Sequence, residues 1–331
     1  MYQSKIAGVG HYLPEKVVTN ADLEKIMDTS DEWIRERTGI LERRFVNEGE
    51  NNSDMAAQAS RLALKRAAVS VDDIEFIIYA TLSSEFFFPG SGCVLQEILG
   101  LPGIGALDVR NQCTGFIYAL SIADQFIKTG MYRTILVVGS EVHSRGLNMT
   151  TEGRDVAVIF GDGAGAAIVT RTEETDRGIL TTHLHADGRY IKELWCEDPG
   201  SVKNPRLSED IINSSSIWPY MNGRYVFKHA VTRFPEVITE ALQTAGYTTD
   251  DVDLVIPHQA NQRITDAVRM KLNLPDKKVF SNIARYGNTT AASIPIAMSE
   301  AIESGLIKKN SLVCLAAFGS GFTWGSALIR F

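Results

Sequence analysis

The apolar positions of this chain fall into two alternating rhythms. Apolar runs such as 135–138, 254–256 and 312–316 read as buried strands, and they alternate with longer stretches at helical spacing. Such alternation predicts an α/β fold in which mostly parallel sheets are covered by helical layers. Two of the helical stretches, 116–120 (FIYAL) and 291–296 (AASIPI), are apolar nearly all round. A helix without a polar face belongs inside the molecule.

The rhythm also repeats. ALKRA at 63–67, followed by DDIEFII at 72–78, recurs as ALQTA at 241–245 followed by DDVDLVI at 250–256, every position offset by 178. Each copy reads as a helix end, a turn and a buried strand. A second pair, IADQFIKTG at 122–130 and AMSEAIESG at 297–305, is offset by 175, and each member precedes a strand that runs to Gly-Ser, at Gly139-Ser140 and Gly319-Ser320. Carried back along the helix, the offset of 175 places Asn288 over Cys113. It predicts two equivalent buried helices that start at these residues and aim their N-termini at one centre. The expected architecture is five layers, αβαβα, duplicated about a pseudo-twofold axis, with halves at 1–173 and 174–331. Residues 188–223 lack periodicity and carry Pro, Gly, Asn and Ser, which suggests an inserted cap. Its Trp195, Trp218, Tyr220 and Met221 pack onto the core or line an apolar tunnel.

Composition narrows the function. With 44% hydrophobic and 22% charged residues the chain is an ordinary globular one. No apolar run reaches the roughly 18 residues a membrane span requires, and residues 1–14 do not read as a secretory signal. Cys93, Cys113, Cys196 and Cys314 lie far apart without a CxxC pair, so neither a structural metal site nor a disulfide framework is expected, and the implied setting is the cytoplasm. A net charge of −7 argues against nucleic acid and anionic membrane as partners. Residues 258–280 run the other way, with five basic residues against two acids, as a solvated helix face or a landing surface for an acidic partner.

Three residues carry candidate chemistry. Cys113 follows the strand end 106–109 and opens a buried helix, where unpaired N–H groups and the helix dipole favour a thiolate nucleophile. His258 lies just past the second repeat's strand, where parallel α/β sheets place functional groups. Asn288 suits a helix cap, and its pairing with Cys113 also suits a site. Cys, His and Asn in this order occur in papain-like proteases too, but the motif that flanks the protease cysteine is missing. FGDGAGA at 160–166 lacks the third glycine of a dinucleotide fingerprint and continues as a strand, so it reads as a tight turn beside the site.

Together the Cys113 segment, PHQAN at 257–261, GNTTAAS at 287–293 and FGSGFTWGSALIRF at 318–331 resemble β-ketoacyl-acyl carrier protein synthase III, a family of the thiolase superfamily. SDEWI at 30–34, RTGI at 37–40 and FGDGAGA extend the resemblance over essentially the whole chain. It implies initiation of fatty acid synthesis by a two-stage condensation. Cys113 takes the acyl group of an acyl-CoA primer, with the backbone N–H groups of Cys113 and Ser320 as the oxyanion hole. Malonyl-acyl carrier protein then loses CO₂ while His258 and Asn288 donate hydrogen bonds to its thioester oxygen. The resemblance further implies CoA binding by Trp33, Arg37, Arg154 and Asn261, carrier-protein docking at Lys228 and Arg263, a homodimer in which Phe88 reaches the neighbour's acyl tunnel, and no cofactor beyond the CoA substrate. The chain departs from the family in carrying Gly319-Ser320-Gly321 where many members have three glycines, in the aromatic stretch 85–89 and in a longer 188–223. These departures leave acetyl, medium and long primers open. Two other readings are acyl transfer from Cys113 to an oxygen or nitrogen nucleophile and a non-catalytic partner subunit. An intact Cys113, His258 and Asn288 speak against the last.

Overall fold

The computed structural model describes residues 2–331. Among these residues are thirteen strands and seven helices of eight residues or more; two of the strands, Lys16–Thr19 and Glu42–Phe45, pair as a separate antiparallel ribbon, and the other eleven are labelled below. The first sheet is built from β1 (Gln3–Tyr12), β2 (Phe76–Ala80), β3 (Gly105–Val109), β4 (Thr134–Glu141) and β5 (Gly163–Thr172), in the order β1-β5-β4-β2-β3. The second contains β6 (Gly178–Ala186), β9 (Leu254–Pro257), β10 (Leu312–Gly319) and β11 (Thr323–Arg330), in the order β6-β11-β10-β9. An isolated parallel bridge from Val255 to Val279 stands where the first sheet has β3. With that bridge counted, the two sheets share one topology. In each, two strand pairings are parallel and two antiparallel. The expectation of mostly parallel sheets therefore fails. The three residues between β10 and β11 are too few for a parallel crossover and force a hairpin.

Helix α1 (Asp31–Thr38) precedes the first sheet's main crossover, α2 (Asn52–Ala67), and α3 (Ser91–Leu99) lies beside it. Helices α4 (Gly115–Lys128) and α7 (Ser293–Glu303) lie between the sheets, and α5 (Gly223–Thr244) and α6 (Gln262–Lys271) cover the far face of the second. This is the five-layered, internally duplicated thiolase-like architecture. The central layer is the driest. Phe116, Ile117, Leu120, Ile294, Ala297 and Met298 are all buried in one cluster with residues of both sheets. Backbone approaches are close enough to demand glycine: a Cβ at Gly10 would lie 2.3 Å from the Ala59 carbonyl oxygen of α2.

The helices α4 and α7 do not begin at Cys113 and Asn288. Each is entered through a 3₁₀ turn, Gln112–Thr114 in one half and Thr290–Ala292 in the other, so the turns match at an offset of 178 rather than 175. Gln112 and Thr290 both take left-handed backbone, at φ +44° and +48°. Position for position, Cys113 matches Ala291, and Asn288 lies two residues ahead of its turn. The offset of 175 holds only at the helices' C-terminal ends, because α4 has 14 residues and α7 has 11.

Residues 188–223 form short pieces: a 3₁₀ stretch, β7 (Leu194–Trp195), the one-turn helix Glu209–Ile212, a further 3₁₀ turn and β8 (Tyr220–Met221). Strands β7 and β8 pair as a small antiparallel ribbon.

Candidate active site

The two 3₁₀ turns meet at the pseudo-twofold axis. A Cβ on Gly115, just after the first turn, would lie 3.6 Å from Ala291 Cβ in the second. The three candidate residues are all tied to these turns. Cys113 is inside the first. The Asn288 side-chain oxygen accepts a hydrogen bond from the Thr290 N–H at 2.8 Å. His258 Nδ1 is 2.6 Å from Ser293 Oγ, the residue that follows the second turn. His258 itself continues β9, and its N–H bonds to the Ala316 carbonyl of β10 at 2.8 Å.

The Cys113 thiol lies under the end of β10. A Cβ at Gly319 would come within 2.5 Å of Cys113 Cβ and 3.0 Å of Sγ, so only glycine fits there. The N–H groups of Cys113 and Ser320 are both directed at the sulfur. The thiol is nevertheless held protonated. Burial, with the nearby Glu141 carboxyl second, pushes it up to about 12, against the lowering by those two N–H groups. Burial thus opposes the thiolate that a helix terminus would favour. The cysteine sits in a 3₁₀ turn ahead of the helix, and desolvation outweighs the turn's donors.

His258 is neutral by the same physics. Burial, aided by the neighbouring His143, lowers its pKa to about 3. Its Nε2 is buried and has no hydrogen-bond partner. Buried polar atoms are almost always paired, so an orphaned ring nitrogen tied to the second turn suits a ligand atom. Ser293 Oγ also receives the Gln259 N–H at 3.4 Å. When that hydroxyl donates to Nδ1, the proton on the ring resides at Nε2, facing the site. Because Asn288 Oδ1 is taken by Thr290, the amide NH₂ is its free end.

Sequence reasoning did not single out four residues around this core. Ser293 and Thr290 were within the GNTTAAS motif, where the helical pattern gave them no distinct role. His143, also buried and lowered to about 3 by burial, pairs its Nε2 with Thr290 Oγ1 at 2.7 Å and stacks against Phe160, 4.6 Å between ring centres. Glu141, fully buried at the end of β4, accepts from Thr81 Oγ1 at 3.1 Å, from the Leu82 N–H at 3.2 Å and from Ser83 Oγ at 2.5 Å, and also from the Ala291 N–H. Burial still pushes its carboxyl up to about 7. No sequence signal distinguishes either from structural core residues.

Comparison with known proteins gives the arrangement its family. Over 328 residues the chain is 47% identical to the β-ketoacyl-[acyl-carrier-protein] synthase III of Xanthomonas campestris pv. campestris, covering 99% of this chain and 98% of that one. The chain belongs to the β-ketoacyl-acyl carrier protein synthase III family of condensing acyltransferases. The family model described as 3-Oxoacyl-[acyl-carrier-protein (ACP)] synthase III matches residues 107–188, and that of its C-terminal part matches 242–331. Among solved structures, the synthase III of Aquifex aeolicus superposes with a TM-score of 0.91 at 45% identity, covering 99% of this chain and 100% of that one. The priming β-ketosynthase of the R1128 polyketide pathway superposes at 0.90 with 31% identity, covering 99% and 96%.

The remaining residues that the synthase III resemblance singled out fall into separate groups. Trp33 on α1 carries the Arg37 guanidinium 4.4 Å from its ring centre and that of Arg154 at 5.2 Å. Asn261 has both ends of its amide engaged. Its oxygen caps α6 through the Arg263 N–H at 2.9 Å, and its NH₂ donates to the Arg37 carbonyl at 2.9 Å. It therefore positions Arg37 from behind. Lys228 and Arg263 are exposed on one surface, bridged by Phe227, whose ring lies 5.7 Å from the Arg263 guanidinium. Phe88 stands apart from its own chain's site, 79% exposed on the loop between β2 and α3. Among the described residues no helix is long and apolar enough to cross a membrane.

Proposed function

We propose that the chain initiates fatty acid synthesis by condensing an acyl-CoA primer with malonyl-acyl carrier protein through an acyl-Cys113 intermediate. The observations that carry this reading are the orphaned His258 Nε2 and a thiol covered by Gly319 and faced by two backbone N–H groups. Cys113 Sγ attacks the primer's thioester carbonyl. The carbonyl oxygen turns toward the Cys113 and Ser320 N–H groups, donors of the kind whose loss typically costs about 10²–10³ in rate. CoA leaves as its thiol, carrying the proton that Sγ gives up. In the second stage the malonyl thioester oxygen takes hydrogen bonds from His258 Nε2–H and the Asn288 amide. CO₂ departs, the enolate forms, and its carbon attacks the acyl-Cys113 carbonyl, freeing the sulfur. A histidine that stays neutral down to about pH 3 suits this donor role and is too weakly basic to act as a general base. No cofactor is required, since loss of CO₂ supplies the carbanion.

Trp33, Arg37 and Arg154 form the proposed CoA site. An aromatic face can stack the adenine, and the two guanidinium forks suit the phosphates. The acidic carrier protein would dock at Lys228 and Arg263, next to a hollow of about 580 Å³ lined by Arg224, Tyr225, Phe227 and Lys228. A homodimer is proposed from the exposed Phe86, Phe87 and Phe88 and the unpaired edge of β3, a site of action in the cytoplasm from the four free cysteines, and a division of the chain at 173/174 from the matching sheets. The test is intact-protein mass spectrometry after mixing with acetyl-, octanoyl- and palmitoyl-CoA, followed by CO₂ release from malonyl-acyl carrier protein. The reading expects a primer adduct that Cys113→Ser abolishes and CO₂ coupled to its discharge. An adduct discharged without CO₂ would instead indicate transfer to an oxygen or nitrogen nucleophile.

A further inference from the structure

Ser320 makes two kinds of contact at once. Its backbone N–H faces Cys113, and its hydroxyl donates to the Leu194 carbonyl on β7 at 2.5 Å. Its own carbonyl accepts from Thr323 Oγ1 at 3.0 Å, and Thr323 Oγ1 is 2.8 Å from Thr114 Oγ1, next to the nucleophile. Polar contacts through Thr323 and Ser320 therefore connect the nucleophile's turn to the cap ribbon.

The ribbon packs against two apolar clusters, one on each strand. Leu194 packs with Phe318 and Phe322 on the β10–β11 side. Its register partner on β8, Met221, packs on the opposite side against the apolar cluster of Leu23, Ile34, Ile159 and Ile283, which Trp33 and Phe160 also border, and Phe160 is bridged to Asn288. The ribbon thus joins the apolar cluster beside the Ser320 loop to the one that Phe160 borders. Glu193 and Asn222 clamp its ends together through a backbone bond and a side-chain bond, each 2.8 Å.

We propose that the Ser320 hydroxyl latches this ribbon down over Cys113 and thereby selects short acyl primers over long ones. The inference rests on the reading of Cys113 as the acyl acceptor. A residue without a hydroxyl at 320 keeps the N–H that faces the sulfur and loses the latch. The ribbon can then lift and admit a longer chain.

The experiment compares the parent protein with Ser320→Ala and Ser320→Thr. It measures Cys113 acylation kcat/KM with acetyl-CoA and octanoyl-CoA, and hydrogen exchange of the backbone amides at 193–196 and 220–222. In Ser320→Ala the octanoyl-to-acetyl ratio should rise about fivefold, and the ribbon amides should exchange faster by a similar factor, the size expected for one lost hydrogen bond. Ser320→Thr, which keeps the hydroxyl, should retain the parent ratio. A ratio that is unchanged or lower in Ser320→Ala overturns the proposal whatever the exchange shows, as does a Thr variant that behaves like Ala. A parent protein that acylates with neither primer would overturn the condensing reading instead, which separates the two failures.

Discussion

Glu141→Gln tests the idea that burial governs the titrating groups at the junction of the two halves. In the folded chain the Glu141 carboxyl is pushed up from 4.5 to about 7, chiefly by burial. Below pH 4.5 it is protonated in folded and unfolded chains alike and costs nothing. As the pH rises from 4.5 to 7 the unfolded chain releases this proton while the folded chain keeps it, so stability falls with pH, and above 7 the loss is constant. At about 1.4 kcal/mol per pH unit, the loss accumulated between pH 5 and 8 is about 2–3 kcal/mol. Gln at this position does not titrate. The unfolding entropy of a 331-residue chain is about 0.7 kcal/mol/K, so relative to the parent the variant should gain about 3–4 °C in Tm between pH 5 and pH 8. Thermal unfolding of both proteins across that range gives the comparison directly. Any constant offset from the changed hydrogen bonds drops out. Parallel Tm curves would refute the reasoning, because they would mean that Glu141 is already ionised in the folded protein at pH 5.

Three further outcomes are expected. Gly319→Ala places a Cβ 2.5 Å from Cys113 Cβ, and displacing the nucleophile should lower the acylation rate by about 10²-fold with the fold intact, read by adduct formation and circular dichroism. Because the Cys113 thiol is pushed up to about 12, its alkylation by iodoacetamide, followed by peptide mass mapping, should rise about tenfold per pH unit from 7 to 9 without a plateau; a plateau near pH 7 would mean a thiolate. Ser293→Ala frees the His258 ring to take either tautomer and should cut kcat for condensation about tenfold with little change in KM, while Ser293→Thr restores it.

The positions of Cys113 and His258 were legible because each follows a strand end, and strand ends are marked by apolar runs that stop. The duplication was legible for the same reason, since it lies in the runs. The register of the turns was not. The period read near Gly130 and Gly305 belongs to helix ends, and α7 is three residues shorter than α4, so the count slips before it reaches the turns. Nor does the sequence advertise left-handed backbone at Gln112 and Thr290, because glycine is its usual marker and neither is glycine. The burial of the thiol was not legible because a helix terminus is a local feature, whereas burial comes from β10 closing over it. Ser293 and His143 act through partners 35 and 147 residues away. Local patterning carries no information about such pairs.

The unequal helices also say where this chain tolerates length change. Three residues amount to about 300° of helical rotation, a shortfall of about 60° from a full turn. That mismatch is absorbed beyond Glu303, where the connection to β10 is longer than the one from Lys128 to β4. Between the turns and β4 or β10 the length difference has settled at the outer ends of α4 and α7, while the turns at the axis and these two strands keep a common spacing of 178. For recombination between relatives, crossover points belong in the outer connections at 129–133 and 304–311. A junction inside either turn would splice two versions of the one place where the halves must agree in register.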